Sequence, residues 1–169
     1  MAKKINEVDI NYGERFIDEE FLKAVGRMTI NFAHLEFVIS LLCGSNMKTV
    51  HPINEIVTSE LSFKQLINIT LSILKITHET EPGKLTHITN LLKKSFELEQ
   101  KRNSITHSFY GTSDEVDTKI IRNKITSKGK AGFQRHVELI DAAMVNTLAD
   151  TMEGVSSSIA LIIFDYSLS

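Results

Sequence analysis

Between Asp18 and Cys43, in DEEFLKAVGRMTINFAHLEFVISLLC, the apolar positions Phe21, Val25, Met28, Phe32, Leu35, Val38, Ile39 and Leu42 recur at three- and four-residue steps. That spacing lays them along one stripe of a helix. Asp18, Glu19 and Glu20 suit the positive end of its dipole, and Gly44 and Asn46 suit its termination. The segment is longer than an ordinary globular helix, which points to a bundle or a helical partner surface. A second periodic segment, about 55 to 77, carries Ile56, Leu61, Phe63, Leu66, Ile67, Thr70 and Leu74. Ser62 with Gln65 three residues on reads as a capping box, so the helix proper starts near Ser62.

Residues 80–83 read as a turn, with a new helix starting just past Pro82. Leu85, Ile88, Leu91, Leu92, Ser95 and Phe96 carry it forward, Ile105 and Phe109 extend the stripe, and Gly111 ends it. Residues 118–137 break the pattern: Lys119, Arg122, Lys124, Lys128, Lys130 and Arg135 stand there without an acid. SKGKAG at 127–132 is loop, or the tip of a hairpin with an arm at 119–126. A last helix is expected over about 134–152 on Val137, Leu139, Ile140, Met144, Val145, Leu148 and Met152. The tail SSSIALIIFDYSLS fits a helical extension, a strand or a packing arm. Taken together, the pattern predicts an all-α fold. It is an antiparallel bundle of four to five helices with a basic loop or small hairpin excursion before the last long helix.

Composition adds boundaries. The chain has 169 residues, 42% hydrophobic, with a formal charge of -2. That suits one domain over 1–169 with a core at about 18–152, and argues against disorder or a bulk-charge nucleic-acid coat. Cys43 is the one cysteine, so neither an intrachain disulfide nor a Cys-rich zinc cluster is expected. The start lacks an apolar run of signal-peptide length, and IALIIF is too short to cross a bilayer. A cytoplasmic protein without membrane contact is the expectation. GxGxxG, GxxxxGK[ST] and HExxH patterns do not occur in the sequence.

The candidate chemistry sits in QKRNSITHSFYG, residues 100–111. On a helix Asn103 and His107 share a face, whereas Arg102 lies roughly 140° round the axis from His107 and about 7.5 Å along it. Histidine exchanges protons near neutrality, as a general acid or base on a ribose hydroxyl or leaving oxygen requires. Arginine offers a fixed fork of donors to a phosphate whose charge grows in the transition state. Asn103 would orient the imidazole or hold a phosphate oxygen. With the 2′-hydroxyl as nucleophile no metal or other cofactor is required. An Arg-Asn-three-His string is expected only about 0.01 to 0.02 times at this composition. The plain alternative is a polar helix end.

RNSITHS, residues 102–108, resembles the Arg-polar-three-His motif of the HEPN domain family, and INFAHLEFVISLL, residues 30–42, resembles its N-terminal helix. The resemblance implies metal-independent cleavage of RNA to a 2′,3′-cyclic phosphate, at a site formed where two motif helices meet in a homodimer. Arg102 would bind phosphate, His107 would transfer protons and Asn103 would support them. It further implies a toxin or phage-defence role with an antitoxin protein as partner, or else a non-catalytic nucleotide-binding or protein-interaction module. Members silenced by adenylylation carry a tyrosine two residues after the histidine; Phe109 stands there in this chain and Tyr110 follows. The six cations of 118–137 are candidates for holding the RNA backbone, and Tyr110 is a candidate for stacking on a base.

Overall fold

A computed structural model describes residues 10–13, 17–47, 52–112, 120–128 and 132–167. The element order is β1 (Asn11–Tyr12), α1 (Glu19–Met47), α2 (Ile53–Ser59), α3 (Phe63–Thr77), α4 (Pro82–Thr106), β2 (Phe109–Thr112), β3 (Ile120–Lys128), β4 (Gly132–Ile140) and α5 (Ala142–Ser167). The fold is therefore mixed, with five helices and one antiparallel sheet, in the order β1-β2-β3-β4, among the described residues. The all-α expectation is overturned by that sheet.

α1 is the central helix. Its stripe Phe21, Ala24, Met28, Phe32, Leu35, Val38, Ile39, Leu42 and Cys43 is buried, and it packs chiefly against α5 while also touching α2, α3 and α4. Asp18 starts it, accepting the Phe21 N–H at 2.7 Å on Oδ1. Ser62 and Gln65 form the expected capping box, with the Ser62 N–H donating to Gln65 Oε1 at 2.9 Å. α4 begins with Pro82 at its first position, where a missing N–H costs nothing. Between α1 and α5, Arg27 pairs with Asp150 at 2.6 Å and Glu153 at 3.1 Å, and Asn31 donates to the Ala149 carbonyl at 3.0 Å.

The sheet corrects three expectations. The helix through Arg102 stops at Thr106, and Phe109 belongs to a strand. Residues 132–140 form β4 rather than the start of the last helix, paired with β3 from Ile120↔Ile140 to Lys128↔Gly132. Gly132 takes φ +68° at the start of that strand, a backbone state open to glycine. The last helix starts at Ala142, capped by Asp141 Oδ1 accepting the Met144 N–H at 2.9 Å, and it takes in the SSSIALIIF tail. α1 and the Ala142–Phe164 stretch of α5 are each long and apolar enough to cross a bilayer, a test that a buried core helix also passes, and the IALIIF run is part of the second. Here the two pack on one another, with Met28, Leu35, Val145 and Met152 in their shared core. At Gly111 a side chain would collide with the Asn11 carbonyl, so the β1–β2 pairing needs glycine there.

Candidate functional site

The three motif residues occupy the last turn of α4 and its cap. Arg102 and Asn103 are half-buried, and His107 is the exposed C-cap, with backbone φ -109° and ψ 35° outside the helical region. Four of the carbonyls near this helix end find donors in the residues that follow. Thr106 Oγ1 donates to the Arg102 carbonyl at 3.1 Å, the His107 N–H to Asn103 at 3.2 Å, Ser108 Oγ to Ser104 at 2.6 Å and the Tyr110 hydroxyl to Ile105 at 2.7 Å. Four consecutive acceptors are thus tied to the residues just after them. The motif turn has a fixed frame.

Arg102 crosses to α1. Its guanidinium carbon stands 4.1 Å from the centroid of the Phe32 ring, and Phe32 in turn packs at 4.9 Å on Phe63 of α3. The Arg102 Nε is buried without a hydrogen-bond partner, and no carboxylate pairs with this guanidinium among the described residues. The side chains of Asn103 and His107 likewise make no hydrogen bond among the described residues. Among the described residues the cation is held by an aromatic face and by no anion.

Arg122 is placed quite differently. It lies on β3 with Glu138 directly opposite on β4, and its Nη2 meets Glu138 Oε1 at 2.6 Å. Its Nη1 donates to Ser104 Oγ at 2.6 Å, which ties the sheet to the motif turn. Tyr110 packs its ring 5.2 Å from Phe21, and burial pushes its phenol up to about 12, so the hydroxyl keeps the proton it donates to Ile105. Arg135 Nε donates to Asn123 Oδ1 at 3.0 Å. Lys124 is half-buried on β3. Lys119 and Lys130 lie outside the described residues, and Lys128 is described in its backbone alone.

A groove of about 400 Å³ runs beside the motif helix, lined by Lys94, Lys101, Ser104 and Arg122 over an apolar floor that includes Leu98 and Ile105. Arg102, Asn103 and His107 are not in its lining, so within one chain this groove does not join them. Sequence reasoning missed Phe32 as the support of Arg102, Glu138 as the partner of Arg122, and the Thr106 and Ser108 hydroxyls that cap the turn. The hydroxyls were findable, because Thr and Ser spaced four residues after a helix carbonyl bond back to it. Cys43 is buried in the core, and that burial pushes its thiol up. No family model, curated protein or solved structure matches the chain.

Proposed function

We propose that the chain is a metal-independent endoribonuclease whose site is completed by two copies of the α4 terminus. The observation that carries this reading is Arg102: a half-buried guanidinium, stacked on Phe32, with an unpartnered Nε and no carboxylate beside it among the described residues. A cation fixed in that way is ready for an anion without having to leave a protein partner first. His107 stands exposed at the end of the same turn. In a twofold dimer each surface patch meets its own copy, which supplies a second imidazole and a second guanidinium.

The chemistry follows from those groups. The ribose O2′ attacks phosphorus while one imidazole takes its proton; the P–O5′ bond breaks as a second imidazole protonates O5′. The products are a 2′,3′-cyclic phosphate and a 5′-hydroxyl. Arg102 faces the charge that builds on the phosphorane, and Asn103 holds a non-bridging oxygen or an imidazole. A toxin role held in check by an antitoxin protein belongs to the same proposal, and growth arrest relieved by His107→Ala would support it.

The test is cleavage of mixed single-stranded RNAs with chelator present. The wild type should leave cyclic phosphate ends, and His107→Ala should slow cleavage by about 10²–10⁴-fold. Equal cleavage by both proteins would remove the proposal. A non-catalytic helical module is the second reading, favoured by the same Arg102–Phe32 contact, since that contact also pins α4 to α1. Its mark would be intact RNA together with a lower melting temperature in Arg102→Ala.

A further inference from the structure

Residues directly opposite one another in an antiparallel sheet project from the same face. The register therefore puts Tyr110, Ile120, Arg122 and Ile140 on the face that packs against the helices. Tyr12, Phe109, Asn123, Ile125, Phe133 and Arg135 share the other face. Phe109 is 63% exposed and Phe133 69%, with the Tyr12 ring and Ile125 partly open between them. Asn123 is the buried centre of this face. Its Nδ2 donates to the Tyr12 phenol oxygen at 2.9 Å and its Oδ1 accepts from Arg135 Nε at 3.0 Å. Arg135 Nη2 reaches the same phenol oxygen at 3.3 Å. A tyrosine ring and a guanidinium are thereby held in fixed positions among exposed rings.

The charge of this arm selects the kind of ligand. Arg135 is the cation on this face, Lys124 stands on the reverse of the same ribbon, and residues 123–137 hold no acid, in a chain whose formal charge is -2. None of the described residues from Lys124 to Val137 is buried. Rings beside a guanidinium, on a face without an acid, match a strand that is at once polyanionic and rich in aromatic faces. Strand spacing puts Phe109 and Phe133 roughly 17 Å apart, room for a short run of splayed bases. A lipid surface would be met by apolar groups gathered at one tip, whereas here Phe109 and Tyr12 lie at the end near the helices. Phe109 also follows His107 by two residues, so the open face begins where the motif turn ends.

We infer that this face is a stacking platform for single-stranded RNA and leads the strand to His107. The choice of RNA rests on the ribonuclease reading above; the platform rests on the sheet. The test uses the full chain carrying His107→Ala, so that bound RNA stays intact. The readout is fluorescence anisotropy of a labelled oligouridylate of about 12 nucleotides. Phe109→Ala and Phe133→Ala should each weaken binding about tenfold, and Phe133→Trp should preserve it. A mixed-sequence RNA duplex of the same length, whose bases cannot splay, should bind several times more weakly. Both phenylalanines are exposed, and an unchanged circular dichroism melt would certify that the variants are folded.

Titrations that do not respond to the ring substitutions would overturn the inference, as would a duplex that binds equally well. Equal or tighter binding of an oligodeoxythymidylate would overturn the assignment to RNA. Loss of a dimer in Phe133→Ala by light scattering would show the face to be covered by a second copy instead. Ring-dependent binding by a wild-type protein that leaves RNA intact would keep the platform and remove only the catalytic reading.

Discussion

Arg102 and Arg122 bracket the motif turn, one reaching over α1 and the other rising from the sheet, and each has a buried Nε with no hydrogen-bond partner. Their remaining surroundings are opposite. Arg122 has Glu138 on one terminal nitrogen and Ser104 on the other, and its side chain is only 10% exposed. Arg102 has an aromatic ring beneath it and no acid beside it among the described residues. The first cation has been neutralised for structural work. The second has been oriented and left with its charge unanswered. Two arginines that composition would count alike thus point to different jobs, and the difference can be attacked experimentally.

The largest expected effect is on activity at Arg102. Arg102→Ala should slow RNA cleavage about 10²–10³-fold, because the charge developing on phosphate loses its donor. Its stability cost should stay near 1 kcal/mol, the usual worth of a partly exposed cation–π contact. Arg102→Lys keeps the charge but not the flat fork, and should recover only part of the rate. Full activity in Arg102→Ala, measured with chelator present, would place Arg102 with Arg122 as a structural cation and collapse the comparison.

Arg122 should respond the other way round. Arg122→Ala leaves Glu138 without its partner and frees the Ser104 hydroxyl, so the expected loss is about 2–3 kcal/mol of stability. This is below the cost of breaking a fully buried pair, since the Glu138 side chain is 48% exposed. Thermal melts should fall by roughly 5–10 °C. Glu138→Gln should cost about half as much, as its amide oxygen still accepts from the guanidinium. A melt unchanged in Arg122→Ala, coupled with weaker RNA binding, would reassign Arg122 to the substrate.

How far these roles were legible in the sequence follows from how local each cause is. The stripe of α1, the Ser62–Gln65 cap and the helix start near Pro82 depend on residues within a turn of one another; the first two stand in the structure as read, and the third begins on Pro82 rather than just past it. β4 was misread because it pairs on only one side, with β3, and is exposed along most of both faces, so it shows little alternation of apolar and polar positions. Val137 and Ile140, three apart, then imitate a helical step. What decides β4 is pairing with β3, a non-local cause. Asp141 before a run of good helix formers was the local sign of the true start of α5. The motif was visible as a string, but neither Phe32 under Arg102 nor Glu138 against Arg122 lies near its partner in sequence, and those neighbours separate the two roles.

The smallest effect tests the frame that both arginines share, through Tyr110. Its hydroxyl donates to the Ile105 carbonyl within the last turn of α4, and Tyr110→Phe removes that donor at a cost of about 1 kcal/mol. Burial is the main cause of its raised phenol pKa, with Glu138 adding a little and Arg122 opposing. The folded state therefore holds the proton more tightly than the unfolded chain does. Tyr110's contribution is fully present below the ordinary value of 10.0 and is lost as pH climbs from there towards about 12. Ultraviolet titration should find one phenol ionising near 12 that vanishes in Tyr110→Phe, and the variant's melting temperature should lose part of its fall across that window. A late phenol that survives the substitution would mean that Tyr110 is open to water, and the capped turn that supports Arg102 and Ser104 would lose its last tie.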